Sequence, residues 1–366
     1  MRSIKHVGIV VLSVCLLFAL TGCQRGPTEK ELAEMERQKL QSFSQTLFMT
    51  IHDEKDFSQY IKLYDGKQEV ENPFCNDIDL IREAMAEDED MKVLVNSDGL
   101  NFTGDYKIKG LTASATMENE MGETGKLRFC RETEDGDWYL NVDNLMGTAS
   151  IQVPQGVALS LNGIPVSEDY LWNSNEYDYY TFDYVLMGAD STVTYHTGFE
   201  KDFEGTIRGG VRGSQDMRYV LSDSDVRDLM PAVAKIWDTC YQAAKSGNEG
   251  DIIAVMSRDA IVESSHIIDT LSKDINSKLI TLSSISRYKP EGEKEYAKCY
   301  MRSKNSCVLN LQANLQTSAK NGQQYGTPKD SSWQFSIELA LENSKFEKMR
   351  NVTDEMWGYK TQPAQS

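Results

Sequence analysis

The sequence predicts an α+β fold, with two helix-then-antiparallel-sheet domains flanking a small all-β domain. Three observations predict it. Residues 28–63 carry apolar positions at helical spacing, and from Met91 to Val142 the apolar positions alternate with period two. Residues 149–221 hold short alternating runs separated by Gly and Asn turns, with no helical pattern. After Ser222 the order of helix and then strand returns. A chain of 366 residues that is 40% hydrophobic can fill two or three cores.

The chain begins with Arg2 and Lys5, an apolar run from Val7 to Leu20, and then Leu20-Thr21-Gly22-Cys23. A positive segment, a short apolar stretch and small residues have the shape of a secretory signal. The run is short for a membrane span. The small residues before Cys23 resemble the lipobox of bacterial lipoproteins. That resemblance implies a diacylglyceryl group on the Cys23 thiol and removal of residues 1–22 as a signal peptide. It implies a lipidated linker over 23–27 and an address on the extracytoplasmic face of the cell membrane, held there by the lipid anchor. An ordinary signal peptide with a chance cysteine and an uncleaved anchor are the competing readings.

The first α+β domain is expected over 28–147. Thr28-Glu29-Lys30-Glu31 fits a capping box, and Leu32, Met35, Leu40, Phe43, Leu47 and Ile51 follow at helical spacing. Asp56–Leu63 reads as a short second helix and Ile78–Met85 as a third. Met91, Val93 and Val95 alternate with Lys92, Leu94 and Asn96 and read as a strand, with a turn at Asp98-Gly99. Tyr106–Lys109 and Leu111–Met117 continue the strand pattern. Leu127–Val142 forms a hairpin around Glu134-Asp135-Gly136.

The small β domain is expected over 148–222. Ile151 and Val153, Val157–Leu161, Tyr180–Leu186 and Ser191–Tyr195 are its strands. Asn162-Gly163 is a hairpin turn of the kind that needs positive φ at both central residues. The second α+β domain is expected over 223–356, followed by a tail at 357–366. Val233, Ile236, Trp237, Cys240, Tyr241 and Ala244 form one apolar stripe, with Pro231 in the first turn of the helix. Ile252–Met256 and the stretch marked by Ile268, Leu271, Ile275 and Leu279 read as further helices. Leu309–Leu315 and Phe335–Leu341 are alternating strands, separated by a polar loop over Ser318–Ser332.

The layout repeats. Thr46–Leu63 parallels Thr239–Met256, and each block closes on a hairpin, headed by Asp135-Gly136-Asp137-Trp138 in one and Asn343-Ser344-Lys345-Phe346 in the other. This order of elements, with a polar turn and an aromatic opening the last strand, resembles the nuclear-transport-factor-two-like fold. The resemblance implies two cone-shaped domains of helices wrapped over a curved antiparallel sheet. Val153-Pro154-Gln155-Gly156 and Leu161-Asn162-Gly163 are similar to the extracellular segments of the teicoplanin-resistance-associated membrane protein family. The chain departs from that family at its start, where a lipobox replaces a zinc ribbon and a transmembrane helix.

The net charge is −18, and it becomes −20 once residues 1–22 take Arg2 and Lys5 with them. Such a surface repels nucleic acid, so no nucleic-acid partner is expected. Cys75, Cys130, Cys240, Cys299 and Cys307 remain beyond Cys23, an odd number without a C-x-x-C pair. At least one is therefore free or pairs between chains, and most read as small buried hydrophobes rather than a disulfide framework or zinc site. No metalloprotease, nucleophile-elbow, phosphate-loop or calcium-loop pattern occurs, and neither a metal nor a cofactor is expected.

His52, His196 and His266 are the histidines beyond the signal. His52 suits a helix C-terminus. His266 and Asp269, three apart, can share a helix face and form an acid–base pair, or lie on a solvated face. Arg208-Gly209-Gly210-Val211-Arg212-Gly213 is a cationic island, read either as a hairpin between domains or as an anion site. The stretch from Tyr170 to Tyr184 holds seven aromatics. Period two puts Tyr180, Phe182, Tyr184 and Leu186 on one strand face, read as the core of the β domain. Tyr170, Trp172, Tyr177 and Tyr179 are the candidate binding platform for sugar rings or a protein partner, against a reading in which they too are structural. The sequence therefore predicts a non-catalytic envelope protein that binds or scaffolds a cell-wall glycan or an envelope protein. An enzyme with its site in a cone cavity and a solute-binding lipoprotein of a transporter are the alternatives. The latter resembles doubly wound α/β lobes, which the alternating strands here do not suggest.

Overall fold

The computed structural model describes residues 27–66, 68–74, 76–102, 105–175, 177–197, 199, 201–246, 279–289, 298–318, 330–341 and 346–350. The chain is α+β. It divides into two compact units: the described residues up to Val70 with Ala86–Val142, and Glu71–Met85 with those from Asp143 onward.

In chain order, α1 (Glu29–His52) is followed by β1 (Ile61–Lys62), α2 (Ile78–Glu87) and α3 (Lys92–Val95). Then come β2 (Leu100–Asn101), β3 (Tyr106–Lys109), β4 (Thr112–Asn119), β5 (Thr124–Cys130) and β6 (Tyr139–Asn141). The reciprocal cap of α1 is present. The Thr28 amide donates to Glu31 Oε2 at 2.7 Å, and the Glu31 amide to Thr28 Oγ1 at 3.3 Å. Residues 29–35 are exposed, and burial begins at Leu40, continuing at Leu47, Phe48 and Ile51. The sheet of this unit runs β1-β6-β5-β4-β2, with β3 also on β4.

Two local expectations are corrected. Asp56–Leu63 forms one 3-10 turn (Ser58–Tyr60) and then β1, which pairs in parallel with β6. Met91–Val95 is helical, not extended. Asp88 starts that turn, its Oδ1 accepting from the amides of Asp90 and Met91. Met91, Val93 and Leu94 are all buried, a helical set that alternation alone misreads.

After Glu71–Met85, the second unit continues with β7 (Met146–Val153), β8 (Leu159–Leu161), β9 (Ile164–Pro165), β10 (Leu171–Ser174), β11 (Asp178–Leu186), β12 (Ser191–His196), β13 (Asp202–Ile207) and β14 (Ser214–Asp216). These make two four-stranded sheets, β10-β11-β7-β14 and β13-β12-β8-β9. Ile151, Val153, Leu159, Leu161, Phe182 and Val193 fill the core they share. Phe74, from far upstream, joins that core, and its carbonyl accepts from Asn162 Nδ2 at 2.9 Å. Asn162 and Gly163 take φ of 51° and 77°, the paired positive values the turn requires.

The unit continues with α4 (Asp223–Ser246), β15 (Leu279–Arg287), β16 (Tyr300–Ser303), β17 (Ser306–Ser318), β18 (Asp330–Ala340) and β19 (Phe346–Arg350). Pro231 lies well inside α4 rather than in its first turn, because Ser222 and Asp225 cap the helix earlier than expected. The Ser222 amide donates to Asp225 Oδ2 at 2.9 Å, and the Asp225 amide to Ser222 Oγ at 3.2 Å. Their sheet runs β15-β17-β18-β19, with β16 also on β17. The expected helices at Ile252–Met256 and Ile268–Leu279 lie almost wholly outside the described residues, as does most of the Ser318–Ser332 loop. The one described end of the latter helix stretch, Leu279, opens β15 instead.

The two α+β parts are built to one plan. Glu29 and Asp223 start helices of 24 residues, each behind a reciprocal cap. Tyr106 and Tyr300 start four-residue strands, and Thr112 and Ser306 start the long strands beside them. Each of these three pairs is separated by the same 194 residues. The tight turns match as well: Lys109 pairs with Thr112, and Ser303 with Ser306. Trp138 immediately precedes β6, and Phe346 begins β19. No described helix is long and apolar enough to cross a membrane.

Candidate functional site

The aromatic stretch divides among three environments, and the strand geometry explains how. Along β11 the inward side chains are Tyr180 and Phe182, which belong to the shared core. Tyr179 therefore faces the other side of the sheet, level with Gln152 on β7. Register shifts between Leu171 and Asn173 where β10 meets β11, and such a bulge re-aims the side chain within it. Trp172 sits at that shift. It is 62% exposed, and its ring centroid lies 5.6 Å from that of Tyr179 at an angle of 53°. Neither ring makes a side-chain hydrogen bond with another described residue.

Ser150 and Thr181, one step along the same face, share a hydroxyl–hydroxyl bond of 3.1 Å. The surface thus offers two splayed aromatic faces beside an amide and hydroxyls. Aromatic faces of this kind supply contact area, and flanking polar groups supply direction.

Tyr170 turns the other way. Its ring lies 5.2 Å from Phe74 and 5.4 Å from Phe182, packed on the sandwich core. Tyr177 is buried, only 6% exposed. Of the four candidate platform residues, the structure brings together Trp172 and Tyr179 at the surface.

Tyr177 is held by two arginines that the sequence did not single out. Arg302 lies 4.4 Å from its ring centroid and Arg218 5.0 Å. Arg218 also stands 4.3 Å over Tyr300 and donates from Nη1 to the Tyr177 hydroxyl at 3.3 Å. Its other nitrogens grip Asp216, with Nε to Oδ1 at 2.7 Å and Nη2 to Oδ2 at 2.5 Å. Burial raises the Tyr300 hydroxyl above the usual phenol range, and the neighbouring Tyr177 pushes it the same way, so it stays protonated. This cluster ties the sandwich to β16. Main-chain bonds follow the same seam, from the Met301 amide to the Tyr219 carbonyl and from the Gln155 amide to the Arg302 carbonyl. The available signal was an arginine inside an apolar strand, Cys299-Tyr300-Met301-Arg302.

Asp178 Oδ2 accepts from the Gly156 amide at 2.7 Å, and Oδ1 from Ser174 Oγ at 2.7 Å. That fixes the Val153–Gly156 turn. At the start of α4, Asp225 accepts from Ser222, Tyr219 and Lys201. Burial alone would raise its carboxyl. The Lys201 ammonium and the Ser222 donors outweigh that and bring it down to about 2.

The cationic island is explained by packing. The Gly209 amide donates to the Leu186 carbonyl at 2.8 Å and the Gly210 amide to the Thr148 carbonyl at 2.9 Å. A Cβ at Gly209 would fall 2.1 Å from the Val185 carbonyl oxygen, so only glycine fits. Arg208 is paired with Asp190 through Nε at 2.5 Å. His52 is exposed at the end of α1, 3.8 Å from Asp53, and His196 is exposed beside Asp202 at 2.9 Å. Cys23 and the His266–Asp269 pair lie outside the described residues. Among the described residues, no cluster of His, Cys, Asp and Glu is arranged to hold a metal. No family model matches the chain, and no curated protein matches it significantly.

Proposed function

We propose that this chain is a lipid-anchored protein of the extracytoplasmic face of the cell membrane. It acts without catalysis, as a binder or scaffold of a cell-wall glycan or an envelope protein. The observation that carries the reading is the exposed Trp172 beside Tyr179, on the sheet face that the sandwich core does not use. A large exposed indole is costly in water and acquires value when a ligand covers it. The repeated cap, helix and sheet supports reading both α+β parts as nuclear-transport-factor-two-like cones.

Two measurements test it. Cys23→Ala should abolish metabolic labelling of the chain with a radioactive fatty acid; unchanged labelling overturns the anchor. Trp172→Ala should weaken sedimentation with purified cell walls, or capture of the envelope partner crosslinked on intact cells, by about thirtyfold. Equal retention of wild type and variant in both assays overturns the platform.

A further inference from the structure

The duplicated plan contains one asymmetry. In the second copy, β16 is covered on the edge that faces away from β17. The Gln155 amide donates to the Arg302 carbonyl at 3.0 Å, and the Lys304 amide to the Gln155 carbonyl at 2.9 Å. Gln155 thus runs as a parallel bridge beside Ser303. Val220 bridges Tyr300 on the same strand in the antiparallel sense, so two extended pieces of chain have been added to the sheet. In the first copy the equivalent strand is β3, and the positions 194 residues upstream of Arg302 and Lys304 are Ile108 and Gly110. No backbone hydrogen bond from a described residue reaches β3 other than those of its pairing with β4.

The side chains around that edge give it a sign. Lys107 and Lys109 are exposed and lie on one face of β3. Ser114 is the register partner of both Lys107 and Arg128, and Thr116 is the partner of Lys126. Directly opposed residues share a face, so Lys107, Lys109, Lys126 and Arg128 make one basic surface in a chain of net charge −18. Lysines on an edge strand also deter pairing with a like edge. A second copy of so acidic a chain is repelled, whereas an extended segment rich in carboxylates is drawn in.

We infer that the outer edge of β3 is a docking site for an extended acidic segment of a partner protein, which adds to the sheet as Gln155 adds to β16. The Ile108 carbonyl and the Gly110 amide would hold the segment, the Gly110 carbonyl being taken by Arg131 Nε and Nη2 at 3.2 and 3.0 Å, and Lys107 and Lys109 would select its charge. This surface is separate from the Trp172–Tyr179 face and does not depend on it.

The test uses the full chain in detergent micelles at low salt. The probe is a fluorescein-labelled peptide of alternating Glu and Thr, read by fluorescence anisotropy. The comparison probes are the same peptide N-methylated at every residue, inorganic polyphosphate, and vesicles containing phosphatidylglycerol. The proposal expects the plain peptide to bind and the N-methylated one not to, because methylation removes the amide donors and keeps the charge. Lys107→Glu with Lys109→Glu should weaken binding about tenfold or more, while Lys30→Glu, exposed on α1, should leave it unchanged. Equal binding of the methylated peptide overturns strand addition. So does binding of polyphosphate or vesicles without binding of the peptide, which would make the face a general anion surface. No anisotropy change with any peptide overturns the site altogether.

Discussion

The guanidinium of Arg218 stands 4.3 Å over the ring of Tyr300 while its Nη1 donates to the hydroxyl of Tyr177. One side chain, on the segment after β14, thereby joins the residue before β11 to β16. Arg218→Lys keeps the charge but loses the planar fork that meets Asp216 at two points. Arg218→Ala is expected to lower unfolding free energy by about 1–3 kcal/mol, and Arg218→Lys by a substantial part of that. Urea unfolding followed by tryptophan fluorescence measures both. A lysine variant as stable as wild type would show that charge alone holds the seam.

Asp225 gives the second unit an acid-sensitive joint. Its carboxyl is lowered from 3.8 in the unfolded chain to about 2 in the fold. A depressed carboxyl contributes stability that is complete above the unfolded value and is lost as pH falls through the folded one. Stability should therefore decline between about pH 4 and pH 2, and Asp225→Asn should flatten that decline while costing stability at neutral pH. Thermal unfolding of both proteins across this range decides it; identical slopes would remove Asp225 from the account.

Trp172 and Tyr177, five residues apart, should respond oppositely. Trp172→Ala removes an exposed ring and should change stability by less than about 0.5 kcal/mol. Tyr177→Ala empties a buried site under two arginines and should cost about 3–5 kcal/mol. Chemical denaturation of the pair checks this. A large loss for Trp172→Ala would place that ring in the structural framework.

Cys130, Cys299 and Cys307 are buried cysteines. Burial pushes the Cys299 and Cys307 thiols up, which suppresses the reactive thiolate. The three should resist an aromatic disulfide reagent in the native protein and react in denaturant. Labelling followed by peptide mapping tests it; rapid native modification of any of the three would contradict their burial.

The sequence was most legible where local chemistry decides structure. Thr28 and Glu31 announced a helix start, and Asn162-Gly163 a turn with two positive φ values. Ser222 and Asp225 carried the same capping signal, but Pro231 drew the expected start of α4 too far downstream. Met91–Val95 failed because five residues cannot separate period two from a single helical turn. The aromatic stretch was legible as a list and not as a site. Which of Tyr170, Trp172, Tyr177 and Tyr179 reach solvent depends on a register shift at Trp172 and on two arginines 41 and 125 positions beyond Tyr177. No local pattern encodes either.

Among the described residues, β16 is covered along its outer edge and β3 is not, which makes the molecule its own reference. Amides of the two strands experience the same solvent, temperature and pH in one tube, and they differ in what lies along the outer edge. Deuterium uptake should be fast along Tyr106–Lys109 and slow along Tyr300–Ser303. The ratio of the two rates measures what the added segments at Gln155 and Tyr219–Leu221 contribute to holding a sheet edge closed, and slowing of the first towards the second would report the arrival of a partner.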